Sequence, residues 1–185
     1  MKYIIQGLLV CAIALLSALL FDMNAPQVAN AQGTATSAKA IIQSTDGSGT
    51  VLGEATFMEM SDGMKVDVSL SGVPVGYHGF HVHEFNSCDD GGSAAGGHFN
   101  PRYVKHGYVV TEGYADAHVG DLGNIVIYSD GTGRMSLTVP GLPLLNDDRA
   151  IAGHSVILHA DRDDFGQPTG NAGGRIGCGI IDLDG

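Results

Sequence analysis

Short apolar or alternating runs recur along the chain, and turn dipeptides separate them. The dipeptides Asp46-Gly47, Asp62-Gly63 and Asp130-Gly131 suit the tight connections of hairpins. Helical periodicity is almost absent over the same part of the chain. Eight runs have strand character, at residues 38–45, 51–60, 64–70, 79–85, 124–129, 134–139, 155–160 and 175–182. The pattern predicts an all-β domain of eight short strands, arranged as a barrel or a sandwich.

Two long segments lack strand character, residues 86–123 and residues 161–174. Both are rich in glycine and aspartate, and the first also contains three histidines. Long connections of this kind in a compact domain are usually either functional or disordered. We therefore expect these two loops to carry the function.

The start of the chain has the features of an export signal. Lys2 precedes an apolar run at residues 3–21, and a polar stretch follows that ends in a small-x-small triplet at residues 29–31. This order predicts a signal peptide over residues 1–31. The apolar run approaches the length that spans a bilayer, so an uncleaved membrane anchor formed by residues 3–21 is the alternative.

Under either interpretation the domain is exported, to a periplasm or to the extracellular medium. Cleavage after residue 31 would leave a flexible lead at residues 32–39 and a folded domain at residues 40–185. This length is enough for one domain with a core of its own.

Cysteine usage agrees with export. Cys11 lies in the apolar run, so Cys88 and Cys178 remain in the domain. The two either join in a disulfide or stay as unrelated free thiols, and an oxidising compartment favours the disulfide.

The chain carries a formal net charge of −11 with neutral histidines. Nucleic acids and anionic membrane surfaces would be repelled by such a chain. We therefore expect no nucleic-acid partner.

The stretch "GFHVHEF" at residues 79–85 places two histidines one residue apart in an apolar run. Successive side chains of a strand point to opposite faces, so His81 and His83 share one face while Phe80 and Val82 share the other. The Phe-Val face belongs to a core. The histidine face is either a pair of metal ligands or a solvated polar surface.

Further residues of ligand type follow in and beside the long loops. They are His98, His106, His118, Asp121 and His159. Histidines with one aspartate and no free thiolate suit Zn or Cu(II). A bound metal would also order a glycine-rich loop, because its binding free energy becomes folding free energy. The alternative is a set of scattered surface histidines.

Four motifs in this order carry a resemblance to a known family. They are "GFHVHEF", "GGHFNP", "HVGDLGN" and "GNAGGRIGCGII", and with them the chain resembles the copper/zinc superoxide dismutases over about residues 40–185. The resemblance implies a Greek-key barrel of eight strands with two long functional loops. It also implies one copper and one zinc ion per chain.

The resemblance assigns a role to each ligand. Copper would be held by His81, His83, His98 and His159, and zinc by His98, His106, His118 and Asp121. His98 would be shared between the two metals. Asp163 matches an aspartate that links the two sites by bonding to His81 and His106. His78 and His154 match no ligand.

Other positions follow from the same resemblance. Cys88 and Cys178 match the family's disulfide, which favours the joined pair. Arg175 matches the arginine beside copper that acts in catalysis together with the bridging His98. Thr169 matches a residue that narrows the channel across from that arginine.

The resemblance implies dismutation of superoxide to O2 and H2O2, with copper changing valence and zinc structural. It leaves room for a homodimer and for a partner that delivers copper. Two other functions are alternatives to it. An exported copper/zinc-binding module without catalysis is the main alternative, and a cell-surface adhesion domain is the other.

The chain departs from the better-known family pattern in its two loops. The segment after His159 looks short and carries Asp161, Asp163 and Asp164 against a single Arg162 and no lysine. We therefore expect weak electrostatic steering of an anion by this loop. Two cations of the other loop, Arg102 and Lys105, would add to this electrostatic steering. The stretch between His106 and His118 looks longer than in the better-known family pattern.

Overall fold

The computed structural model describes residues 36–184. The predicted signal peptide, the alternative anchor at residues 3–21 and the first part of the predicted lead lie outside the described residues. The eight predicted runs all form strands, and a ninth short strand follows. The strands are β1 Ser37–Ser44, β2 Val51–Met60, β3 Gly63–Leu70, β4 Gly76–His83, β5 Asp121–Ile127, β6 Gly133–Val139, β7 Ser155–His159, β8 Arg175–Ile180 and β9 Asp182–Leu183.

The strands form one closed antiparallel barrel in the order β2-β3-β6-β5-β4-β7-β8-β1. Closure comes from β1, which pairs with β8 on one side and with β2 on the other. The neighbours β3–β6 and β4–β7 are not consecutive in the chain, so two connections pass over the barrel ends in the Greek-key manner. The predicted all-β, eight-stranded Greek-key fold is confirmed. β9 adds a short pairing beside Ala38 and Lys39.

The barrel interior is filled from alternate positions of the strands. On β3, for example, Met64, Val66, Val68 and Leu70 are buried while the residues between them are more exposed. β4 differs because both of its faces are buried. Its Phe80 and Val82 side belongs to the core, as predicted, and its histidine side lies under the long loops.

Several strand ends differ from the predicted runs, and three of them bear on the site or on the predicted lead. β4 ends at His83, because the N–H groups of Glu84 and Phe85 donate to the carbonyls of Gly97 and Ala95 in the following loop. β5 begins at Asp121, three residues earlier than predicted, where Asp121 pairs with His81 of β4. β1 begins at Ser37, so residues 37–39 of the predicted lead are paired in a strand.

The long loop between β4 and β5 contains two short helical pieces. A 3₁₀ turn spans Asp90–Ala95, and helix α1 spans Val109–Glu112. α1 lies in the stretch that looked expanded in the sequence. Its Val109 is buried in the core, and Glu112 accepts a hydrogen bond from the N–H of Tyr108 at the start of the helix. Within residues 36–184, no helix is long and apolar enough to cross a membrane.

Candidate metal centre

The backbone of Val82 fixes the long loop against β4. Its N–H donates to Gly120 O at 2.9 Å, and its carbonyl accepts from Phe99 N at 2.8 Å. This close approach requires glycine at position 120, because a Cβ there would collide with the Val82 carbonyl. Phe99 and Gly120 are the chain neighbours of His98 and Asp121. Two backbone hydrogen bonds therefore bring these two loop residues beside the histidines of β4.

Four histidines meet at one point beside the barrel. Their ligand nitrogens all lie within 4.8 Å of one another, and all four side chains are buried. Two come from β4, one from the long loop and one from the end of β7. This four-histidine group consists of His81, His83, His98 and His159.

The hydrogen bonds of these rings leave nitrogen lone pairs facing inward. His83 Nδ1 lies 3.0 Å from Gly96 O, and His159 Nδ1 lies 3.3 Å from Gly173 O. A carbonyl can only accept, so each Nδ1 carries the proton and each Nε2 keeps a lone pair. The two Nε2 atoms face each other at 3.3 Å. Facing lone pairs at this distance suit a shared cation.

A second cluster lies next to the first and shares one member with it. This histidine–aspartate group consists of His98, His106, His118 and Asp121, again with ligand atoms within 4.8 Å. His98 Nδ1 lies 2.8 Å from Asp121 Oδ1, which leaves Nε2 of His98 for the four-histidine group. The other carboxylate oxygen of Asp121 accepts from the N–H groups of Gly107 and His118, each at 2.9 Å.

Three buried nitrogens test whether the two clusters suit metal ions. The Nδ1 atoms of His81, His106 and His118 are buried and make no hydrogen bond within the described part of the chain. Two of them lie 2.9 and 3.1 Å from the Asp121 carboxylate without the alignment of a hydrogen bond. Buried polar atoms are normally paired, so an unpaired ring nitrogen in each of the two clusters fits ligation of a metal ion there. The donor sets, four imidazoles and three imidazoles with a carboxylate, suit copper and zinc respectively.

Asp163 joins the two clusters from the second loop. Its Oδ2 lies 2.8 Å from His81 Nε2, and its Oδ1 lies 3.0 Å from His106 Nε2. Each Nε2 therefore donates to Asp163, and Nδ1 of each ring is the nitrogen that would face a metal ion. Asn124 of β5 holds the backbone of Asp163 through both groups of its side-chain amide, at 2.8 and 2.9 Å. A carboxylate that is fixed in this way orients one ring from each cluster.

Burial sets the protonation of the four-histidine group. It lowers the pKa of His81 to about 3, of His83 to about 2 and of His159 to about 4. These rings are therefore neutral at pH 7, the form that binds metals. His106 behaves differently. Burial lowers its pKa, but contacts with the carboxylates of Asp121 and Asp163 outweigh burial and raise it to about 9.

The metal-free domain is expected to lose stability as the pH falls from 6.5 toward 3. In this window the unfolded chain protonates histidines that His81, His83 and His159 keep neutral in the folded domain. Each of them should account for about 1–2 kcal/mol between pH 7 and pH 5. His106 has the opposite sign, because its raised pKa adds stability below pH 6.5 that is lost above about 9. Urea unfolding of the metal-free protein at both pH values measures the net effect, and equal stability would contradict it.

Arg175 lies at the edge of the four-histidine group. It begins β8 and is paired in register with His159 of β7. Its guanidinium donates to the backbone carbonyls of Gly92 and Gly96, which follow Cys88 in the long loop. Gly96 O also accepts from His83, so one carbonyl orients both the arginine and the ring. The positive charge is thus positioned by neutral groups and remains available to an anion.

The two domain cysteines are joined. Cys88 and Cys178 form a disulfide that ties the long loop to β8. The structure therefore contains the disulfide rather than two free thiols. The disulfide holds the loop that supplies the Gly92 and Gly96 carbonyls against β8, the strand that begins with Arg175.

Other predicted positions lie outside the two clusters. Thr169 is exposed in the second loop, and its role in a channel stays a prediction. His78 contacts the carbonyls of His159 and Pro74, and His154 contacts the carbonyl of His83. Among the described residues, neither histidine is a member of a ligand group.

Sequence reasoning missed two residues that hold the centre together. Asn124 is the last residue of the motif "HVGDLGN" and lies in β5. A polar residue inside a strand was the available sign that its side chain makes a specific contact. Gln167 pairs with the backbone of His106 at 2.8 and 3.0 Å, and nothing in its sequence context indicates this.

The fold is a β-barrel with two adjacent clusters that could hold metal ions, and known proteins with similar sequences and structures agree with this description. Residues 51–181 match the family described as copper/zinc superoxide dismutase (SODC). Among solved structures, the crystal structure of the clock protein EA4 is similar at 35% sequence identity and a TM-score of 0.72. That match covers 82% of this chain and 96% of the EA4 chain. The chain belongs to the copper/zinc superoxide dismutase family, as the motifs predicted.

Proposed function

We propose that this chain is an exported superoxide dismutase that uses one copper and one zinc ion. The observation that carries the proposal is the sharing of His98 between two buried ligand groups, with Arg175 beside one of them. A domain that only stored metal would have no need of a positioned cation at the cluster edge that makes no ion pair within residues 36–184. The Cys88–Cys178 disulfide is compatible with an oxidising compartment, periplasmic or extracellular.

The ligand roles follow the two groups. His81, His83, His98 and His159 would hold copper, whose change of valence supplies the electron transfer. The histidine–aspartate group would hold zinc, which keeps its valence and orders the loop.

The chain's own residues would bring in the anion and supply a proton. The reaction converts two superoxide anions and two protons into O2 and H2O2. The Arg175 guanidinium would bind each superoxide by charge and hydrogen bonding. Nε2 of His98 would take up one proton and give it to the second superoxide, while Nδ1, which lies beside Asp121, would stay with the histidine–aspartate group. Asp163 would keep the ring of His81 in one orientation throughout.

Replacing Arg175 with alanine is expected to lower kcat/KM for superoxide by about tenfold, the value of a charge-assisted hydrogen bond. Arg134→Ala is the matched control, because Arg134 is an exposed arginine on β6 that lines a groove containing none of the ligand residues. Pulse radiolysis of the metal-loaded variants gives the rates. Equal rates for both variants would remove Arg175 from the proposal.

The rate is expected to change by less than about twofold between low and physiological ionic strength. Both cations that were expected to help steering are paired on the surface: Arg102 lies 3.4 Å from Asp148, and Lys105 lies 3.3 Å from Asp116. Arg162 of the second loop lies over the ring of Tyr77. Rates measured across a salt series test this expectation, and a steep fall with added salt would contradict it.

The main alternative is an exported metal-binding module without catalysis. The similar structure is that of a protein named a clock protein, a name that states no dismutation. The two functions differ in what metal loading produces, since only the enzyme would remove superoxide. A homodimer and a partner that delivers copper are compatible with both.

A further inference from the structure

Gln167 attaches the second loop to the backbone of a proposed zinc ligand. Its Oε1 accepts from the N–H of His106 at 3.0 Å, and its Nε2 donates to the carbonyl of His106 at 2.8 Å. A side-chain amide has one donor group and one acceptor atom, so it can satisfy both backbone groups of one residue in this way. The Gln167 side chain therefore satisfies the N–H and C=O groups of His106, as the backbone of a paired strand does in a sheet.

The same loop also contacts the ring of His106. Phe165 stacks on it with an interplanar angle of 20° and a centroid distance of 6.3 Å. The N–H of Phe165 donates to Asp163 Oδ1, the atom that also contacts His106 Nε2. The backbone, the ring face and the ring edge of His106 are thus all held by residues 163–167.

His106 needs this support because of its place in the chain. It lies in the long loop between the 3₁₀ turn and α1, outside any strand or helix. A ligand in such a segment loses conformational freedom when it binds a metal, which weakens binding. Contacts that fix the ligand beforehand reduce that loss.

We propose that Gln167 is a positioning residue that fixes the backbone of His106 and thereby strengthens zinc binding at the histidine–aspartate group. The proposal rests on the proposed role of that group as a zinc site. It separates Gln167 from Asp163, which acts on the ring of His106 and also on His81.

The test compares three variants in the purified protein loaded with copper and zinc. Gln167→Ala removes both hydrogen bonds, and Gln167→Glu keeps the acceptor for the His106 N–H but loses the donor. Gln43→Ala is the control, since Gln43 is an exposed glutamine on β1. Zinc and copper release to a chelator are followed separately. Hydrogen exchange of the His106 amide is measured in the metal-free form.

Gln167→Ala is expected to weaken zinc binding by about tenfold, at the lower end for residues that orient a ligand. Copper binding and the control should change by less than about twofold. The His106 amide should exchange faster in Gln167→Ala than in Gln167→Glu, because only the glutamate keeps its acceptor. Unchanged zinc release and unchanged amide exchange in Gln167→Ala would overturn the proposal. A wild-type protein that binds no zinc at this group would instead overturn the proposed function.

Discussion

Replacing Asp163 with alanine is expected to lower zinc affinity by about 100-fold, at the upper end for residues that orient metal ligands. Asp163 is fully buried and is the hydrogen-bond partner of Nε2 in both His81 and His106. Burial raises its pKa, but the two rings and the N–H of Phe165 outweigh burial and hold the pKa well below its usual range. The carboxylate is thus ionised at pH 7. Without it, two buried ring nitrogens lose their partner and both rings lose their orientation.

The structure offers a matched control in the neighbouring residue. Asp164 is exposed on the same loop and contacts Asn171 rather than a ligand. Asp164→Ala should leave zinc affinity within about twofold of wild type. Asp163→Asn keeps the shape of the side chain and separates lost charge from a cavity. Competition with a chelator measures the affinities, and equal values for Asp163→Ala and Asp164→Ala would contradict the linking role.

Replacing Cys88 and Cys178 with serine is expected to lower the free energy of unfolding by about 4 kcal/mol in the metal-free protein. The two cysteines are 90 residues apart in sequence. Joining them removes conformational freedom from the unfolded chain, and a loop of this length corresponds to about 4–5 kcal/mol in the chain-entropy account. Urea unfolding of the double variant and of the wild type gives the difference.

Two controls isolate the disulfide in this experiment. Working without metals removes the stability that ligand binding would add. Wild-type protein treated with a reductant should move toward the double variant, whereas the reductant should not affect the variant itself. A loss below about 1 kcal/mol would mean that the disulfide does not constrain the unfolded chain as this account requires.

Much of the fold followed from the sequence because strand signals are local. Alternation of apolar residues with turn dipeptides located all eight barrel strands. The pair His81 and His83 was also readable, since the two-residue period of a strand puts both on one face. The order of the strands, and the closeness of His159 to this pair, came from the family resemblance. Periodicity alone contains no information about which strands are neighbours.

Contacts made by loops were not readable. The Gly96 carbonyl orients His83 and Arg175 together, but a backbone carbonyl leaves no trace in the residue type. Gln167 reaches His106 across 61 residues of sequence. Pairing of Lys105 with Asp116 depends on how the expanded loop folds around α1. These features arise from tertiary contacts, and the local sequence pattern contains no information about such contacts.

Superoxide decay with and without metals tests the central claim most directly. The purified protein would be assayed metal-free and then after reconstitution with copper and zinc, with the metals counted in each sample. The account predicts rapid decay only in the form that holds one copper and one zinc ion per chain. Full loading of both ligand groups without superoxide decay would contradict it and would leave the metal-binding module as the function.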